Sequence, residues 1–233
     1  MIELLRPIRP IRSFVRREGR MTPGQRRALT TLWPSYGIDT DGVDPDSGTD
    51  ITRQFKRSAP TIVEIGFGNG QALAAMAAAH PENNYLGIEV HRPGVGSLLL
   101  ELKAKDLHNV RIVNADAKII LESNIPRARL AAIHLFFPDP WPKARHYKRR
   151  LVQLDFAQLA CAKLKLGGVL HIATDWEHYA EHMLEVLASV DGLKNTSAQN
   201  YVSRPDYRPL TKFELRGQKL GHRVYDLIYQ RIK

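Results

Sequence analysis

From residue 60 to residue 190 the sequence alternates between short β-branched runs and longer apolar-periodic stretches. This alternation restricts the fold more than any other feature. "TIVEIGF", "NYLGIEV", "NVRIVN", "LAAIHLFF" and "VLHIAT" each read as a short strand rich in Val, Ile or Leu. Between them, "ALAAMAAA" reads as a helix, and Pro93 opens a second whose Val95, Leu99 and Leu102 share one face. A third is expected from about Arg149, burying Val152, Phe156, Leu159 and Ala160 and stopped by Gly167 and Gly168. Asp175 is expected to cap a fourth, with Tyr179, Met183, Val186, Leu187 and Val190 on its apolar face. Parallel neighbours need crossover connections. The alternation therefore predicts an α/β fold with a doubly wound, mostly parallel sheet and helices on both faces. "HRVYDLIYQ" reads as a last strand, expected to be antiparallel.

The amino-terminal region has a different character. Residues 1–27 carry Arg6, Arg9, Arg12, Arg16, Arg17, Arg20, Arg26 and Arg27, opposed only by Glu3 and Glu18. Proline and glycine interrupt the segment, so it reads as a basic arm, and the acidic "GIDTDGVDPDSGTD" at 37–50 reads as a linker. The expected division is residues 1–50 for arm and linker and 51–233 for the folded domain. The net charge of +10 points to nucleic acid as partner. Cys161 is the only cysteine, which excludes an internal disulfide and a multi-cysteine zinc site. No metal is expected, and a reducing, cytoplasmic setting fits. No apolar run approaches membrane-spanning length, and "MIELLRPIRPIR" lacks the apolar core of a signal peptide, so no membrane association is expected.

Acids recur where the strands end. Glu64 closes the first strand and Glu89 the second; Asp116, Asp139 and Asp175 follow the third, fourth and fifth. In a parallel α/β sheet those ends border the ligand crevice, so carboxylates would gather along one edge. "EIGFGNG" adds Gly66, Gly68 and Gly70, spaced G-x-G-x-G, whereas dinucleotide sites use G-x-G-x-x-G. Glu89 suits a ribose diol in either kind of site. Glu64 would repel a pyrophosphate, whereas it attracts the sulfonium and ammonium of S-adenosylmethionine. This favours a methyltransferase over a nicotinamide enzyme, with Asp116 near the adenine amino group.

The fourth strand runs into "HLFFPDPWPK" and then "ARHYKRR". The prolines would fix the direction of Asp139. Asp139 could accept from base N–H groups and Trp141 could stack on a base, or the turn could be a rigid corner with Trp141 packed inward. Lys143, Arg145, His146, Lys148, Arg149 and Arg150 favour the nucleic-acid reading.

The motifs "EIGFGNG", "GIEV", "NADA", "FPDPWPKARHYKRR", "TDW" and "TKFELRG", with "GRMTPGQRRAL" near the start, resemble those of the bacterial tRNA (guanine-N7)-methyltransferases. The resemblance implies methyl transfer from S-adenosylmethionine to N7 of guanine 46 in the tRNA variable loop, by a monomer or homodimer. It implies cofactor contacts from Glu64, Glu89, Asp116 and Asp139 beside the glycine loop. It implies substrate contacts from Lys143, Asp175, Thr211, Lys212, Phe213 and Glu214, with Asp139 as the catalytic position. Asp175 or Glu214 could read the guanine N1–H and N2–H₂ edge, and the sequence leaves that choice open.

Overall fold

The apolar runs do form strands, in the computed structural model that describes residues 13–14, 19–40, 49–211, 214, 221 and 223–233. Helices α1 (Pro23–Thr31) and α2 (Trp33–Tyr36) precede β1 (Thr61–Ile65). Then follow α3 (Gln71–Ala79), β2 (Asn84–Ile88), α4 (Arg92–Ala104), β3 (Val110–Val113), α5 (Ala117–Asn124) and β4 (Leu130–Phe136). The chain continues through α6 (Leu154–Lys163), β5 (Leu164–Thr174), α7 (Glu177–Ala188), β6 (Leu193–Asn195) and β7 (Tyr225–Arg231). The sheet order is β3-β2-β1-β4-β5-β7-β6, and β7 alone runs against the rest. Strand order reverses between β1 and β4, so their carboxyl ends open the crevice where such folds bind ligands.

Successive side chains alternate between the two faces of the sheet. On one face Val63, Ile65, Leu86, Ile88, Ile133 and Ile172 pack against α5, α6 and α7 through Leu121, Phe156 and Met183. On the other, Tyr85, Val110 and Ile112 pack against α3 and α4 through Leu73, Leu98 and Leu102. Full burial of each such side chain stabilises the fold by about 1.5–3 kcal/mol. Pro93 lies in the first turn of α4, as its fixed φ favours.

Four expectations need correction. The amino-terminal arm is shorter than residues 1–27: α1 starts at Pro23, where Thr22 and Gln25 form a capping box, and Gln25 donates to Ser97 of α4 (2.9 Å). Ala28 and Tyr36 are buried, and Ile38 N–H donates to Ile112 O (2.8 Å), so residues 22–38 belong to the packed body and only 41–48 of the linker lie outside the described residues. Helix α6 begins at Leu154, after a 3₁₀ segment at Ala144–Arg149, and ends at Lys163. Gly167 and Gly168 instead form an irregularity within β5. Pairing there jumps from Leu130↔Leu164 to Ala132↔Val169, and a side chain on Gly168 would press within 2.9 Å of Lys165 O. Asp175 is not the cap of α7; that place is taken by Trp176, which makes no side-chain cap.

Candidate active site

Local chain geometry builds the crevice. After β1 the chain turns through Gly66 (φ 71°), Gly68 (φ 57°) and Gly70 (φ 76°), left-handed conformations that glycine adopts without strain. A side chain on Gly66 or Gly68 would meet open space, so the loop is a cradle that a ligand can approach closely. Glu89, at the end of β2, braces it: Oε2 accepts from Gly68 N–H (2.9 Å), and Oε1 from Val90 N–H (2.7 Å) and His91 N–H (2.9 Å). Asp116 accepts from Lys118 N–H (3.0 Å) and thereby caps α5.

Two adjoining cavities occupy this end of the sheet. The smaller, about 370 Å³, is lined by Glu89, His91, Asp116 and Asp139, with Ser13, Phe14 and Gly19 of the amino-terminal segment. The larger, about 890 Å³, is lined by Glu64, Gly68, Asp139, Asp175, Trp176 and Thr211 among others. Gly66, Phe136, Phe137, Pro138 and Asp139 border both. Phe137 (φ 53°) and Trp141 (φ 44°) hold a left-handed backbone in this turn, a conformation that costs about 1–3 kcal/mol for a bulky residue. Phe137 lies on the wall that the two cavities share.

Electrostatics follow from burial. Glu64 is buried, its Oε2 has no hydrogen-bond partner among the described residues, and its carboxyl is pushed up to about 8 by desolvation and then by the charge of Glu89. Asp139 is solvent-accessible at the cavity rim; desolvation by the surrounding turn raises its carboxyl above the ordinary value, and the charge of Arg149 offsets only part of that rise. An orphaned acid above an open glycine cradle suits a cationic ligand without phosphate, which is the character of S-adenosylmethionine.

The remaining predicted residues divide. Lys143 is exposed, precedes the 3₁₀ segment and lines neither cavity. Lys212 and Phe213 lie outside the described residues. Glu214 is 3% exposed, accepts at both carboxylate oxygens from Arg208 (2.7 and 2.9 Å), and donates its own N–H to Thr211 Oγ1 (3.0 Å). Arg208 also binds Asp226 (2.7 and 2.9 Å), which accepts or shares a proton with His171 (2.8 Å); Tyr207 bonds the other nitrogen of His171 (2.9 Å). These groups cover the face of β4, β5 and β7 where His134 is stacked between Phe136 and Tyr207, and burial drives His134 down to about 3.

Two aromatic and basic readings also change. Trp141 lines neither cavity: Arg149 lies over its ring at 4.0 Å, His146 meets its edge, and its Nε1 donates to Ser13 O (3.1 Å). Arg150, counted in the basic run, is buried, donates to Pro140 O (2.9 Å) and lies over Tyr147 at 3.9 Å, so it holds the turn. Sequence reasoning passed over Phe136, Phe137 and Tyr225 as lining residues. Their position at strand ends was the available signal.

Residues 58–227 match the family model described as "Putative methyltransferase". A protein of Salmonella typhimurium named tRNA (guanine-N(7)-)-methyltransferase is 55% identical over 229 residues, covering 98% of this chain and 94% of the relative. Its namesake from Alkalilimnicola ehrlichii is 56% identical, covering 96% and 93%. Among solved structures, the 16S rRNA methyltransferase KamB aligns with a TM-score of 0.58 at 14% identity, covering 78% of this chain and 93% of that one. An rRNA methylase from Streptococcus thermophilus aligns with a TM-score of 0.52 at 14% identity, covering 78% and 95%. These two share the Rossmann-like methyltransferase fold with the sheet described above. Sequence identity above one half across nearly the whole length of both chains shows that this protein belongs to the tRNA (guanine-N(7)-)-methyltransferase family.

Proposed function

We propose that this chain methylates N7 of guanine 46 in the variable loop of tRNA, with Asp139 as the catalytic residue. S-adenosylmethionine is the cofactor of the family and, when bound, supplies an electrophilic methyl group. The observation that carries the reading is the position of Asp139 on the wall common to both cavities. In this reading Glu89 and Asp116 hold the adenosine end in the smaller cavity, and Glu64, Gly66, Gly68 and Gly70 face the charged end. The purine enters the larger cavity, beside Asp175 and Thr211. Guanine N7 already presents a lone pair, so no residue needs to remove a proton. The base gains positive charge as it is methylated, and the Asp139 carboxylate lies where it can stabilise that charge. Alignment supplies the rest of the rate.

Asp175 is favoured over Glu214 as the acceptor for the guanine N1–H and N2–H₂ edge, because both oxygens of Glu214 are committed to Arg208. Thr211 is held at the cavity by its bond to the Glu214 amide, and Lys143, exposed outside both cavities, faces the RNA backbone. The test is mass spectrometry of tRNA lacking the modification after incubation with the protein and S-adenosylmethionine. The expected product is 7-methylguanosine at position 46, and its formation should fall by roughly 10²–10³-fold in Asp139→Asn with cofactor binding retained. Methylation at another atom, or wild-type turnover by the Asn variant, would overturn the proposal.

A further inference from the structure

An acceptor base needs contact on its face as well as its edge. Trp141 does not supply it, because its ring carries Arg149 and its Nε1 is bonded to Ser13. Trp176 is placed differently. It follows Asp175 directly, lines the larger cavity with Asp139, Asp175 and Thr211, and is 41% exposed. Among the described residues nothing stacks on its indole and its Nε1 has no hydrogen-bond partner, although its backbone is well held. Its N–H donates to Thr174 Oγ1 (3.2 Å), and its carbonyl accepts from Tyr179 and Ala180 at the start of α7 (3.0 Å each). Its indole is therefore open to the cavity on a corner whose backbone is fixed.

We propose that Trp176 is the platform on which the acceptor guanine stacks. The assignment rests on the reading of the larger cavity as the acceptor site. One short corner then presents both kinds of contact: Asp175 an acceptor for the base edge, Trp176 a surface for the base face. The chemistry adds a reason for tryptophan here. The methylated guanine is cationic, and an electron-rich indole attracts a cation over its face more strongly than phenylalanine does. Trp176 therefore binds the product base more tightly than the substrate base, and it favours the charge that develops during transfer.

The experiment compares Trp176→Ala and Trp176→Phe with the wild type. The Ala variant should keep its thermal midpoint and its S-adenosylmethionine Kd while kcat/KM for tRNA falls tenfold or more, the range expected for removing one base–aromatic stack. The Phe variant should recover most of kcat/KM. Methylated tRNA should quench wild-type tryptophan fluorescence more than unmethylated tRNA, and this difference should vanish in Trp176→Phe. Unchanged kcat/KM in the Ala variant would overturn the proposal, as would loss of melting temperature or cofactor binding, which marks a structural role. An equal quench by the two tRNAs would overturn the preference for the cationic base. Failure of the wild type itself to methylate tRNA would refute the proposed function instead, so the two failures are distinct.

Discussion

Replacing Glu64 by Gln should remove a proton release that accompanies cofactor binding near neutral pH. Glu64 is buried with Oε2 unpartnered among the described residues, and its carboxyl titrates at about 8. At pH 7, one unit lower, about nine molecules in ten hold it neutral, whereas a cationic ligand selects the carboxylate. Ionising it for binding then costs about 1.4 kcal/mol at pH 7 and about twice that at pH 6. Affinity should thus rise roughly tenfold per unit up to pH 8 and level off above it. Titration calorimetry of the complex in two buffers of different ionisation enthalpy counts the protons, and Glu64 should contribute about 0.9 per cofactor at pH 7. The amino group of the cofactor titrates in both proteins, so the wild type minus Glu64→Gln isolates the side chain. Identical proton counts and identical pH slopes in the two proteins would refute the reasoning. The free protein gives an independent sign. Between the ordinary carboxyl value of 4.5 and about 8 the folded state binds more protons at this site than the unfolded state. This contribution to stability therefore declines as pH rises through that window. The Gln variant without cofactor should melt above the wild type at pH 8 and lose that advantage near pH 4.

Arg208→Ala leaves the carboxylates of Glu214 and Asp226 buried without their partner and should destabilise the fold by about 3–5 kcal/mol in denaturant unfolding. Glu214→Gln turns an NH₂ toward the donors of Arg208 and should cost about 1.5–3 kcal/mol, so a normal melting temperature would contradict the ion-pair role. Removing residues 1–19 should lower the salt dependence of tRNA binding by about 0.9 in log–log slope for each phosphate that the arm neutralises. Because Ser13, Phe14 and Gly19 line the smaller cavity, the same truncation should also raise the cofactor Kd several-fold, and an unchanged Kd would disprove their part in that site.

Much of the site was legible because strand-end acids and turn glycines are local properties. Glu64, Glu89, Asp116, Asp139 and Asp175 each follow from where a β-branched run stops, and a parallel sheet brings those ends to one edge. The sequence could not tell which polar residues were spoken for. "LAAIHLFF", "VLHIAT" and "VYDLIY" each carry a polar residue in mid-strand, His134, His171 and Asp226, whose partners the local pattern does not name. Pairing sets His134 beside His171, and Arg208 and Glu214 fold over them from the long connection between β6 and β7. That network occupies both carboxylate oxygens of Glu214. The same kind of long-range contact claims Trp141, through Ser13, and leaves Trp176 open to the cavity.

The sequence by itself thus determined the sheet, its parallel winding, the crevice and the acids along it, since hydrophobic period and turn chemistry act over a few neighbouring residues. Only the tertiary structure decided which charged and aromatic side chains remain free for a ligand. A buried polar group is satisfied by whatever partner the fold brings within hydrogen-bonding distance, and that partner can lie far along the chain.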